Sequence, residues 1–260
     1  MSVSTYSLDV LVQGFPGRTG HHGGLGWSTV SLLRGDGRVL LVDTGAYMYR
    51  DVLRRQLAEF GLTTQDVTGV LLTHCHSDHM CNYPLFPRAT IYVPAKDLDW
   101  ASDQPIGTWF VPEYHVEKLL ERDHVRPLVD GQEVVPGISA LATPGHTPGH
   151  MAYVAQVEGG VAIFTGDAVK NEAELTSGEA DMSLDAKASG VSIAAIRGVA
   201  LDADDNVIVP GHDRLLSVCK DRVVGRAPLV ATIVRMLPQG VEAELNLVIP
   251  TTAATDGKQF

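Results

Sequence analysis

The sequence predicts a layered α/β fold in a single domain, and three observations carry that prediction. Short apolar or β-branched runs recur along the chain, separated by turn residues and by segments with helical spacing. Four of these runs end in a loop bearing histidine or aspartate, after Leu72, Ala142, Phe164 and Val209. Ligands gathered at strand ends belong to a sheet with one site along its edge. At 260 residues, with 45% hydrophobic and 20% charged residues, the chain can bury a sizeable core. No repeat, low-complexity tract or linker divides it, so one domain is expected over residues 1–250, with 251–260 as a loose tail.

Taken in order, residues 6–12, 28–33 and 38–45 read as strands. Arg34-Gly35-Asp36-Gly37 joins the last two as a hairpin turn. The glycine-rich segment before Ser28 has no periodicity and reads as a loop; it carries His21 and His22, expected to be solvated, with a substrate contact as the alternative. Residues 47–60 have helical spacing through Val52, Leu53, Leu57 and Phe60 and stop at Gly61. After Asp66, VTGVLLT reads as a buried strand. Further strands are expected at 90–93, 137–143, 151–157 and 161–165, and a short one at 206–209. Residues 113–121, 185–199 and 228–237 read as helices.

A net charge of −11 argues against a sequence-independent nucleic-acid grip. No stretch is long and apolar enough to span a membrane, and no export signal is read at the N-terminus. The sparse, odd set of cysteines (Cys75, Cys81 and Cys219) suggests reduced thiols and a cytoplasmic setting. Cys75 and Cys81 flank a histidine cluster, but their spacing fits no closed structural zinc pattern.

That cluster is LLTHCHSDHM, where His74, His76, Asp78 and His79 form H-x-H-x-D-H at the end of an apolar run. Downstream lie His146 in PGH, Asp167 in TGD and His212 in a second PGH, each just after a strand. Neutral imidazole and carboxylate are good donors for zinc and similar metals. Seven such donors exceed the need of one tetrahedral ion and suit two ions about 3.5–4 Å apart.

The ordered set H-x-H-x-D-H, PGHTPGH, TGD and PGH resembles the metallo-β-lactamase-fold hydrolase superfamily over most of the chain. The resemblance implies an αββα sandwich. It also implies a first metal on His74, His76 and His146, a second on Asp78, His79 and His212, and Asp167 bridging them. Asp43 in LLVDTG matches a family aspartate that supports the ligand loop, and His150 is expected beside the ligands in a supporting role. Two Zn²⁺ are the implied cofactors, with Mn or Fe as alternatives. Two divalent ions sharing a water bring its pKa towards neutrality for attack on a carbonyl or phosphoryl centre, and Asp78 is placed to hold the nucleophile's proton.

GGLGWSTV, NYPLFP and the spacing to GDA look most like the lactonase-type branch, which includes N-acyl-homoserine lactonases. Where those carry a tyrosine three residues after the bridging aspartate, this chain has Lys170, expected either to meet the substrate or to be solvated. Tyr47, Met48, Trp109, Phe110 and Tyr114 are the candidate pocket walls. An aromatic, largely apolar wall favours a small lactone, ester or amide substrate over a polyanion. A phosphodiesterase or nuclease of the same fold is the alternative, because THCHSDHMCNYPLFPRA also resembles a branch linked to RNA cleavage. A non-hydrolytic metal-binding or redox module is a further one. A small-molecule substrate, no nucleic acid or membrane partner, and a homodimer complete the expectations.

Overall fold

The computed structural model describes residues 4–19, 23–219, 222–237 and 239–249. The expectations for His21, His22 and the tail at 251–260 fall outside the described residues.

The first half of the chain builds one sheet. β1 (Ser7–Val12) is followed by a small hairpin, β2 (Arg18–Thr19) and β3 (Gly23–Gly24). β4 (Val30–Gly35) and β5 (Arg38–Val42) form a hairpin in which Gly35 pairs with Arg38. Asp36 and Gly37 between them both have positive φ (51° and 69°), the two-residue turn whose twist suits a hairpin. Next come α1 (Arg50–Glu59), β6 (Gly69–Leu71), α2 (Ser77–Met80) and β7 (Thr90–Pro94). α3 (Ala95–Ser102), α4 (Glu113–Leu120) and β8 (Val125–Leu128) complete this half. The six strands run in the order β1-β4-β5-β6-β7-β8, parallel from β5 onward.

The second half builds a seven-stranded sheet. Its strands are β9 (Glu133–Val135), β10 (Ile138–Ala142), β11 (Met151–Val157) and β12 (Gly160–Gly166). α5 (Glu172–Ser177) and α6 (Ala186–Leu201) lead into β13 (Val207–Pro210), β14 (Leu216–Cys219) and β15 (Arg222–Gly225). The order is β15-β14-β13-β12-β11-β10-β9, and the β12–β13 pair is parallel.

Alternation along the strands explains the layering. Leu33, Leu40 and Val42 meet Tyr153, Phe164 and Val209 in a core between the sheets. Their neighbours Leu32 and Leu41 face the other way, onto Leu53 and Leu57 of α1. On the far side, Ile163 and Ile208 pack against Leu175 of α5 and Ile193 and Ile196 of α6. The result is the αββα sandwich, with three buried apolar layers between four structural ones.

Residues 228–237, expected as a helix, are instead β16 (Leu229–Leu237), paired with β17 (Gly240–Ile249) in a two-stranded ribbon. The spacing Leu229–Ile233 fits a helix, but Val230, Thr232, Ile233 and Val234 are β-branched and find an antiparallel partner. α3 had no sequence signal, because it starts straight after β7 with no side-chain cap. The helix expected at 47–60 opens with a 3₁₀ turn, Tyr47–Tyr49. α6 starts where the sequence places it, capped by Asp185, which accepts from Ala188 N at 2.9 Å.

Candidate metal centre

Strand register brings the ligand loops together. Parallel pairing sets Val42 opposite Leu71, so Asp43 follows β5 beside the turn that carries Thr73 and His74. In the other sheet Gly166 pairs with Pro210, which puts Asp167 and His212 just past neighbouring strand ends. Gly211 has to be glycine here: a Cβ would lie 2.4 Å from Asp167 Oδ1. The β10–β11 loop adds His146, and α2 adds Asp78 and His79.

These donors converge in three overlapping groups: His74–His76–His146, His74–His79–Asp167 and Asp78–His79–His212. Within each group the ligand atoms lie within 4.8 Å of one another. Asp167 stands between the two ends of the cluster. Its Oδ2 is 3.3 Å from His146 Nε2, and its Oδ1 is 3.2 Å from both His79 Nε2 and His212 Nε2. Asp78 Oδ2 lies 3.4 Å from His212 Nε2, and Asp78 stays partly open to solvent.

In three of the histidines the ring nitrogen turned away from the cluster is engaged. His79 Nδ1 donates to Asp43 Oδ2 at 2.8 Å, and His146 Nδ1 donates to Met182 O at 2.9 Å. His74 Nδ1 meets Thr73 Oγ1 at 3.0 Å, and that hydroxyl donates to Asp43 Oδ2 at 2.8 Å. Asp43 therefore holds His79 directly and His74 through a hydroxyl, leaving both Nε2 atoms for the cluster. It does so from a left-handed backbone, φ 56°, which aspartate tolerates better than most residues. His150 has both nitrogens in use: Nε2 accepts from Asp167 N at 3.0 Å, and Nδ1 donates to Thr143 Oγ1 at 2.9 Å. It orients the Asp167 backbone and has no nitrogen left for a ligand role.

Burial and neighbouring imidazoles push His74 and His150 far below the ordinary imidazole pKa and bring His76 down to about 3. Burial lowers His146 as well. His79 and His212 move the other way: burial opposes their charge, but Asp78 and Asp167 outweigh it. Asp167 falls well below the carboxylate range, its burial overcome by His212, His79 and His146. One end of the cluster thus favours neutral nitrogen ready to donate, while the carboxylates at the other favour the imidazolium form, which cation binding opposes.

The donor set fits metal. His74 Nε2 is buried beside His79 Nε2 and Asp167 Oδ1 without a hydrogen bond, which is costly unless a cation joins them. Cys75 is fully buried in the apolar core and points away from the ligands.

A cavity of about 710 Å³ opens above His76, Asp78, His146, Asp167 and His212. Trp109 and Phe110 line it, their rings 3.9 Å apart, and Phe110 lies 5.7 Å from the His76 ring. Tyr47, Met48 and Tyr114 are exposed and stand outside that lining; Tyr47 instead bonds His115 Nε2 at 2.8 Å. Phe15, Arg18, Asn171 and Met182 take the places not foreseen. Lys170 is on the cavity wall and is neither solvated nor loose. Its Nζ pairs with Glu174 Oε1 at 2.8 Å and donates to Asp181 O at 2.7 Å, while its carbonyl accepts from His212 N at 2.8 Å. The Lys170–Glu174 spacing of four was the sequence signal for this pair.

A cavity floored by His and Asp donors at the joint edge of two sheets, inside an αββα sandwich, is the arrangement of a metal-dependent hydrolase. Comparison with known proteins places it further. The family model described as "Metallo-beta-lactamase superfamily" matches residues 23–212, and the chain belongs to that superfamily. It is 33% identical over 218 residues to metallo-beta-lactamase domain-containing protein 1 of Xenopus laevis, covering 84% of each chain. A ribonuclease of Thermus thermophilus is 34% identical over 157 residues, which are 55% of this chain and 36% of the ribonuclease. Among solved structures, the dizinc quorum-quenching lactonase AidC, in complex with a homoserine product, superposes with a TM-score of 0.63. Its identity is 16%, over 75% of this chain and 77% of that one.

Proposed function

We propose that the protein is a dinuclear zinc hydrolase that attacks the carbonyl of a small lactone, ester or amide and breaks its acyl C–O or C–N bond. One observation carries this reading: the ligand cluster floors a cavity of about 710 Å³ whose aromatic side is Phe15, Trp109 and Phe110. That space takes a small, partly apolar molecule. His74, His76 and His146 would hold one ion, and Asp78, His79 and His212 the other, with Asp167 between. Bound there, divalent ions supply Lewis acidity, polarising a carbonyl and acidifying water.

The chain's own groups do the rest. The Asp78 carboxylate, partly exposed on the cavity floor, accepts and passes on the proton that the attacking water gives up. Glu174 and the Asp181 carbonyl hold the Lys170 ammonium on the wall. From there it donates to the oxygen that gains charge as the carbonyl is attacked. Trp109 and Phe110 exclude water and seat the apolar part of the substrate.

A phosphodiesterase is the second reading, favoured by the identity with the Thermus ribonuclease. The net charge of −11 disfavours a polyanion. We also propose a cytoplasmic setting, supported by three cysteines without a disulfide. A panel of acyl-homoserine lactones, p-nitrophenyl esters and bis-(p-nitrophenyl) phosphate, assayed with zinc or manganese, tests the assignment. Carbonyl substrates should turn over well ahead of the diester. Turnover of the diester alone would replace the first reading with the second.

A further inference from the structure

We infer that Asp97 is a positioning residue for the His74–His76–His146 half of the metal centre, its carboxylate clamping together the two loops that deliver those ligands. Asp97 is fully buried in the first turn of α3, on the side of the loops away from the cavity. Its Oδ2 accepts from Cys75 N at 2.7 Å, and its Oδ1 from Gly149 N at 3.3 Å. Cys75 N belongs to the peptide joining His74 to Cys75, and His76 is the next residue. Gly149 lies between His146 and His150. One carboxylate thus ties a peptide inside the H-x-H segment to one inside the PGHTPGH segment.

Among the described residues no lysine or arginine forms an ion pair with Asp97. A buried carboxylate is costly, and here the two amide donors offset part of that cost, with contributions from the Thr147 hydroxyl and the Cys75 thiol. The packing beneath is equally close. A Cβ on Gly149 would lie 2.0 Å from Asp97 N and 2.5 Å from Asp97 Cα, so the loop rests directly on the backbone of α3. Asp43, another buried carboxylate, serves His79 directly and His74 through Thr73. His76 and His146 receive nothing from Asp43, and the Asp97 clamp is what sets their loops at a fixed spacing.

The inference rests on the dinuclear reading, and its test separates the two. Zinc is titrated into chelator-stripped protein against a competing chromophoric chelator, with circular dichroism as a check on folding. Wild type should take up two equivalents. Asp97→Asn keeps the volume but replaces one acceptor oxygen with an NH2 donor where both neighbours are donors. It should keep one tight equivalent and weaken the other by about tenfold or more, the size that loss of such a supporting contact has on metal sites. Gly149→Ala strains the same contact from the other side and should weaken the same equivalent; it also serves if Asp97→Asn fails to fold. Asp97→Glu, which keeps the charge, should recover part of the loss. Fewer than two equivalents in wild type would overturn the dinuclear reading itself. Two unchanged equivalents in both variants, or equal weakening of both ions, would overturn the positioning role and leave Asp97 as general support for the fold.

Discussion

His79 Nδ1 lies 2.8 Å from Asp43 Oδ2, with both side chains sealed from solvent. This contact fixes which nitrogen His79 turns to the cluster. Asp43→Asn should leave the sandwich folded but lower metal affinity by about 10–100-fold, with kcat/KM following. Metal content by mass spectrometry after dialysis at controlled free zinc, with kinetics on the same samples, checks this. Wild-type retention would detach Asp43 from the site.

His76→Ala and Asp167→Ala each remove a donor that no neighbour can replace. Turnover should fall below detection while circular dichroism stays close to wild type. Near-wild-type rates in either variant would show that the ligand assignment is wrong.

Stripping the protein with a chelator should abolish activity, and zinc or manganese should restore it. Purified protein holding well under one equivalent of metal, with no activity recovered on adding either ion, is the outcome that would falsify the hydrolase reading.

Lys170→Ala should lower kcat/KM by more than about tenfold, mainly through kcat, if its ammonium meets the developing charge. A change in KM alone would place Lys170 in ground-state binding. No change at all would restrict it to the pair with Glu174.

The metal-free protein should lose stability in mild acid. Burial holds the folded pKa of His150 far below its ordinary value, so between the two values the unfolded chain binds a proton that the folded one does not. Its contribution is complete above about pH 6.5 and is lost as pH falls, at up to about 1.4 kcal/mol per pH unit. Urea midpoints of chelated protein at pH 5, 6 and 7 should show the slope, and His150→Gln should reduce it. An unaltered slope in that variant would assign the proton uptake to other groups.

Much of this was legible in the residues, and for a physical reason. Metal ligands must be His or Asp at the ends of buried strands, so His74 to His79, His146, Asp167 and His212 stand out against apolar runs. The strands at 151–157 and 161–165 were readable because burial on both faces demands continuous apolar runs. Asp97 was invisible, since its role depends on α3 folding back beneath two distant loops, and an aspartate early in a helix has an ordinary capping explanation. The ribbon of β16 and β17 was misread because its helical spacing is real and only its partner strand decides the matter. The cavity wall was half foreseen: Trp109 and Phe110 stood out as aromatic candidates, but Phe15 and Arg18 reach it from the segment around β2, far away in sequence.

The donors come from both sheets, with His74, His76, Asp78 and His79 in the first half of the chain and His146, Asp167 and His212 in the second. Neither half carries a working centre. A nascent or clipped chain offers an ion only an incomplete cage, and capture waits until the two sheets have closed on each other. Hydrolytic power is therefore a property of the closed sandwich and of neither sheet alone.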